Sequence, residues 1–129
     1  MFIDELKDYI VAQSGFVEGT SLFIGSLPDT LTGVVAIQES NTNNLYNIGN
    51  ELGYSIKDIV FRVRGTESEY VTRLLASTLD FLENLTDTNL TNYRIVRGEF
   101  STPPYQLDGV DKNNNYIYVG VYSATLERI

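Results

Sequence analysis

The residues able to do chemistry in this sequence are carboxylates, arginines, hydroxyls and amides, because it contains no Cys and no His. That excludes a thiolate nucleophile, an imidazole base, a disulfide and the usual structural zinc site. A Ser-His-Asp or Cys-His arrangement is impossible within one copy. Two options survive on residue type: hydrolysis by paired carboxylates, and a hard cation held by oxygen ligands. For the cation, Asp111-x-Asn113-x-Asn115 matches the opening of a calcium loop. The sixth position needs Gly and is Tyr116; the twelfth needs Glu and is Tyr122, so the match fails. A solvated hairpin tip is expected there, since Asn and Asp favour turns. For the carboxylates, 17 Asp and Glu make some facing pair arithmetically easy, so a pair carries almost no information. Glu99 alone lies among apolar residues, and Arg94 and Arg97 stand near enough to neutralise it, which reads as an ion pair on a sheet face. No phosphate-cradling glycine motif occurs. Asn84-Leu85-Thr86 and Asn89-Leu90-Thr91 match the glycosylation pattern, but the acidic opening Phe2-Ile3-Asp4-Glu5 is unlike a secretory leader. No catalytic, cofactor-binding or metal-binding residues are expected, and the chain is read as not an enzyme.

Charge points to contacts instead. The balance is 9 Lys and Arg against 17 Asp and Glu, a net −8 at pH 7. Such a surface repels nucleic acid on average, because binders displace counterions with a basic face. The net negative charge is concentrated early, because Lys7 is the one base before Lys57. Arg62, Arg64, Arg94 and Arg97 are therefore the candidates for a basic contact patch, suited to the acidic first part of another copy. The competing assignment pairs them within the monomer to Glu67, Glu69 or Glu99.

The elements that must position these groups follow from periodicity. The 129 residues, 43% hydrophobic and 20% charged, suit one domain over residues 1–129. Phe2, Ile3, Leu6, Tyr9 and Ile10 keep helical spacing, and Ser14-Gly15 ends that helix. Ser21–Gly25 is a short apolar run, and Gly33–Glu39 reads as a strand. Residues 40–56 are Asn-rich without a sustained period and read as a long polar loop. Asp58–Gly65 alternates as a strand, with Ile59, Phe61 and Val63 on one side and Val60, Arg62 and Arg64 on the other. Thr66-x-x-Glu69 reads as a capping box. Val71, Leu74, Leu75, Thr78, Leu82 and Leu85 then predict a helix of about 18–20 residues, roughly 30 Å long. Tyr93–Phe100 is a strand that Pro103-Pro104 should break. Tyr116–Leu126 is the last strand, central because both faces are apolar, with Gly120 marking a bulge. This order excludes a doubly wound parallel sheet. It predicts an α+β fold: a mixed β-sheet with two helices packed on one face. The other face should carry Val60, Arg62, Arg64 and several Tyr, a composition suited to a subunit contact.

The layout resembles the tail terminator and minor capsid family of tailed bacteriophages. The resemblance lies in the first helix and in Gly25-Ser26-Leu27-Pro28-Asp29 before Val34-Val35-Ala36-Ile37. It continues in Ile59–Gly65 running into the helix from Glu67, and in Pro103-Pro104-Tyr105-Gln106-Leu107-Asp108-Gly109 before Tyr116–Val119. The Asn-rich 41–53 segment departs from the family. The resemblance implies a virion protein at the head–tail interface, assembled in the host cytoplasm. It would form a ring, typically a hexamer, that caps the tail tube, ends tube polymerisation and offers a docking surface to the head. The implied partners are further copies of the chain, the major tail tube protein, a head completion or connector protein and the tape measure protein. No cofactor and no membrane are implied. Genomic DNA would pass an acidic lumen without specific binding, with Glu51 and Asp108 as candidate lumen residues. Arg62, Arg64, Arg94 and Arg97 become candidate ring contacts. Asn44, Tyr46, Asn47, Tyr54, Tyr105 and Asp108 become candidate axial contacts. A head completion protein is the alternative in the same setting; a carboxylate-dependent hydrolase or a monomeric binding module is the alternative outside it.

Overall fold

The computed structural model describes residues 2–28, 31–40, 54–66 and 68–128. Helix α1 (Phe2–Gln13) comes first, and Phe2, Ile3, Leu6 and Ile10 form its buried stripe. Its end is set locally: the Ser14 hydroxyl donates to the Ile10 carbonyl at 2.5 Å and accepts from the Phe16 N–H. Six strands follow in one mixed sheet: β1 (Leu22–Ile24), β2 (Val34–Glu39), β3 (Tyr54–Arg64), β4 (Leu85–Asn89), β5 (Tyr93–Val110) and β6 (Tyr116–Arg128). Their spatial order is β1-β2-β3-β6-β5-β4. β1 and β2 are parallel, and every other neighbouring pair is antiparallel. Helix α2 (Glu69–Ser77) and a 3-10 turn (Asp80–Leu82) bridge β3 and β4.

Alternation along the strands sorts the sheet into two faces. Val35, Ile37, Ile59, Phe61, Val63, Phe100, Tyr118, Tyr122, Ala124 and Leu126 meet α1 and the α2 segment in one core. The fold is thus α+β with both helices on one face. Phe61, Phe100 and Tyr122 stack edge to face there, with centroids 5.0–6.1 Å apart. Tyr118 and Tyr122 are not on the bare face, as the sequence suggested. Each buries its ring and keeps a partner for its hydroxyl. The Tyr118 hydroxyl donates to the Glu69 carboxylate at 2.9 Å, and that of Tyr122 to the Leu82 carbonyl at 2.7 Å.

Several local expectations need correction. α2 has 9 residues rather than about 18–20. The Ser77 and Thr78 hydroxyls bond back to the Leu74 and Leu75 carbonyls, which competes with continuation of the helix. The chain then tightens to 3-10 bonds, and Asn84 turns it with a φ of 61°. Leu85 accordingly opens a strand and not a last helical turn. Buried positions on this segment are Thr72, Ala76, Leu79 and Leu82, whereas Leu74 and Thr78 are exposed. The capping box is also replaced: Thr66 Oγ1 accepts from the Ser68 N–H, while Glu69 serves Tyr118 and Arg73. Residues 54–56, assigned to the loop, already pair with β6. The rest of that loop, 41–53, lies outside the described residues, as do Asp29 and Glu67.

Pro103-Pro104 does not end its strand. β5 bulges between Thr102, which faces Val121, and Gln106, which faces Val119, and then resumes. Prolines are tolerated at such bulges because the ladder is already interrupted. The bulge crosses directly over Gly120, where a Cβ would stand 2.6 Å from Pro104 N and 2.7 Å from the Thr102 carbonyl oxygen. A second close approach joins β3 to α2: a Cβ on Gly65 would overlap the Thr72 side chain. Gly120→Ala forces backbone against backbone and should cost about 3 kcal/mol, the upper end for overpacking. Gly109→Ala, with nothing within 4 Å, should be near neutral. Urea denaturation of the two variants checks the contrast.

Candidate functional site

The sheet face away from the helices is the first candidate surface. Its middle is built from alternate residues of β3 and β6: Val60 beside Val121 and next to Val119, then Asp58, which accepts from the Ser123 hydroxyl at 2.6 Å, then Ile56 beside Thr125, all half-buried. Charged groups stand at its two ends. At one end Arg62 donates to Gln38 Oε1 at 3.1 Å. At the other, Arg94 bonds Asp87 at 2.7 Å and Glu127 at 3.2 Å, and Arg97 bonds Glu99 at 3.2 Å. The Glu99 ion pair expected from the sequence is therefore present. Arg62 faces Val119 and Arg97 faces Thr125, so the two ends are about 20 Å apart along β6. The four arginines do not form one patch.

Arg64 is an internal residue. It is only 9% exposed. Its guanidinium donates to the Pro28 and Leu31 carbonyls, and its Nε lies 3.3 Å from Asp111 Oδ2. The expectation that Arg64 meets a neighbouring copy is replaced by a clamp within the chain, joining the β1–β2 connection to the β5–β6 tip. Asp111 organises that tip, accepting from the Asn113 and Asn115 N–H groups at 2.8 and 2.9 Å. Backbone hydrogen bonds from Asn115 and Asn113, aided by Arg64, hold its carboxyl below the usual carboxylate range. The segment that imitated a calcium loop is this turn. Among the described residues no group of three or more Asp or Glu could hold a metal ion.

The second candidate surface lies beside α2. Tyr70, Arg73, Leu74 and Ser77 recur at i, i+3, i+4 and i+7 and, with Tyr105 of the β5 bulge, line a groove of about 340 Å³. Tyr70 is 71% exposed and Leu74 49%, large values for side chains of that apolar area. Tyr105 donates to Asp80 Oδ1 at 2.7 Å; burial, and then this bond, push its hydroxyl up to about 12. Beyond the bulge Leu107 and Val110 are 49% and 48% exposed. Asp108 is exposed on the same stretch.

No family model, curated protein or solved structure matches this chain. No helix among the described residues is long and apolar enough to cross a membrane.

Of the candidate axial residues, Tyr105 and Asp108 lie on one stretch of β5, and Tyr54 opens β3. Asn44, Tyr46, Asn47 and the lumen candidate Glu51 lie outside the described residues. The sequence reading missed Tyr70, Leu74, Leu107 and Val110. The signal for Tyr70 and Leu74 was the Thr72, Ala76, Leu79 spacing, which turns Leu74 outward.

The Asp111 clamp has a pH signature. A carboxyl held below its unfolded value of about 4 adds stability at neutral pH. That stability fades as pH falls below about 4 and through the folded value. Asp111→Asn should flatten this part of the acid limb in melts from pH 7 to 2. Arg64→Glu should lower the melting temperature at pH 7. If neither variant changed the melts, the clamp would not hold the fold together.

Proposed function

We propose that this chain is a ring-forming structural protein of a tailed bacteriophage, a tail terminator that caps the tail tube and faces the head connector. The observation that carries the reading is the uncovered sheet face. Val60, Val119 and Val121 stand half-buried on it beside the Asp58–Ser123 hydrogen bond, with Arg62 held by Gln38 at one end and the Arg94 and Arg97 ion pairs at the other. An apolar centre with a polar rim is the anatomy of a protein contact, and the bound charges at the rim favour register over non-specific adhesion. The resemblance drawn from the sequence supplies the setting, and the α+β layout with two helices on one face agrees with it.

In this role the chain works by shape. A head-to-tail contact between two different surfaces closes a ring when its rotation closes. The sheet face is one partner of that contact. The acidic outer side of α1, with Asp4 and Asp8 exposed, belongs to the other side of the subunit. A ring of chains each carrying −8 presents a negative bore that lets DNA slide without adhesion.

Light scattering tests the assembly. A hexamer of this 14.5 kDa chain has a mass of about 87 kDa. Val119→Asp with Val121→Asp should leave a folded monomer, because both side chains lie outside the core, and should abolish the ring. Addition to polymerising tail tube subunits tests the activity: the protein should arrest growth, seen as shorter tubes by electron microscopy. Unchanged tube length, or a monomer at every concentration, rejects the reading.

A further inference from the structure

The pairing of β5 is one-sided over half its length. β4 pairs with it from Asn89↔Arg94 to Leu85↔Gly98 and stops there. β6 continues alongside to Val110↔Tyr116. Among the described residues no strand takes the other side of β5 from Glu99 to Val110. The first part of this edge is closed by other means: the Phe100 N–H donates to Glu83 Oε2 at 3.1 Å, and the Pro103-Pro104 bulge follows. The part from residue 106 to residue 110 has neither proline nor lysine; its register shifts between Leu107 and Gly109, and the charge at that bulge is the acid Asp108, which a basic partner would match. It lies next to the apolar groove of Tyr70, Leu74 and Tyr105. Leu107 and Val110 stand half exposed on the helix side of the sheet, opposite Tyr118 and Tyr116.

We infer that the β5 edge over residues 106–110 is a strand-addition site for an extended segment of a partner protein, with alternating apolar and basic residues. An added strand would continue the ladder, send its apolar side chains along Leu107 and into the groove, and set its bases against Asp108. Open backbone alone would accept any extended chain; charge selects among them. Asp108 lies on the edge itself, Glu69 accepts from Tyr118 opposite Leu107, Asp80 accepts from Tyr105 just before it, and Arg73 of the groove is already bonded to Glu69 at 3.4 Å. A second copy is a poor donor. Each copy carries −8, β1 has only three residues, and β4 is kinked at Asp87 with a φ of 48°. Two-fold pairing of this edge with itself would set one Asp108 opposite another, which like-charge pairing disfavours. The site stands whether or not the chain forms rings.

The test uses the whole chain and two synthetic nine-residue peptides, one alternating Val and Lys and one alternating Val and Glu. Hydrogen exchange followed by NMR should show the Val/Lys peptide protecting amides within 106–110, with no such protection from the Val/Glu peptide. Asp108→Lys should weaken the Val/Lys peptide about tenfold, the size expected for losing one close charge pair and gaining repulsion. Leu74→Ser should also weaken it by removing the apolar wall of the groove. Both positions are exposed, so both variants keep the fold, checked by circular dichroism. Equal protection by the two peptides, protection only at other strands, or no protection would overturn the inference. Concentration-dependent protection of 106–110 in the chain alone would also overturn it, because the occupant would then be a second copy. Ring formation by light scattering is read separately and decides the proposed function alone.

Discussion

Two phenols on β6 hold the molecule to one geometry. Tyr118 reaches the first turn of α2 through Glu69, and Tyr122 reaches the end of the following 3-10 turn through the Leu82 carbonyl. The rings of both are fully buried, and burial raises both hydroxyls above the ordinary tyrosine range. A buried hydroxyl without a partner costs roughly 1–3 kcal/mol, so each ring fixes where its acceptor must lie. The α2 segment is thereby tied at both ends across the central strand. The core then gathers on that side: the Phe61, Phe100 and Tyr122 cluster, the α1 stripe and the closure over Gly120. The opposite face of the same strands receives no cover from either helix. Its half-buried isoleucine and valine are a consequence of the one-sided core.

This asymmetry explains which parts of the fold were legible in the sequence. Strands β2 and β3 and helix α1 declare themselves, because their periods match one-sided burial over enough residues. β6 declares its alternation but not its direction. Tyr at every second position suits a wet interface as well as a core, and only the acceptors on Glu69 and Leu82 decide between them. α2 was overextended because Val71, Leu74, Leu75, Thr78, Leu82 and Leu85 keep helical spacing through a segment that is a short helix, a 3-10 turn and a strand. Period is not conformation. The residues that matter there are Ser77, Thr78 and Asn84, which offer the backbone other bonds and a left-handed turn. At Pro103-Pro104 the opposite error arises: a local breaker was taken as final, whereas the long β5–β6 pairing absorbs it as a bulge.

The candidate site was legible as residue types and not as a constellation. Arg62, Arg94, Arg97 and Glu99 were identified as sheet-face groups, and they lie on that face. Their grouping into one patch failed because register decides distance, and register needs partners that one strand cannot reveal. Arg64 illustrates the same point. Alternation puts it on the outer face, but its position at the strand end brings it under the β1–β2 connection and beside Asp111. There the Asp111 turn and the arginine define each other. The carboxylate orders the hairpin tip through backbone N–H groups, and its charge meets a buried guanidinium.

Two surfaces thus differ in what can cover them. The bare sheet face offers side chains only, since β3 and β6 beneath its middle have their backbones paired on both sides. Recognition there depends on shape and on a rim of charges already hydrogen-bonded within the subunit, which suits repeated contact between identical subunits. The 106–110 edge offers backbone, which can be completed only by another extended chain, and the acids around it exclude most of this protein's own surface. A subunit with one surface for its copies and another for a different protein can close into an assembly and still have an attachment point left over. The terminator role we propose requires that division, because a growing tube stops only where the last layer presents a surface that the next tube subunit cannot use.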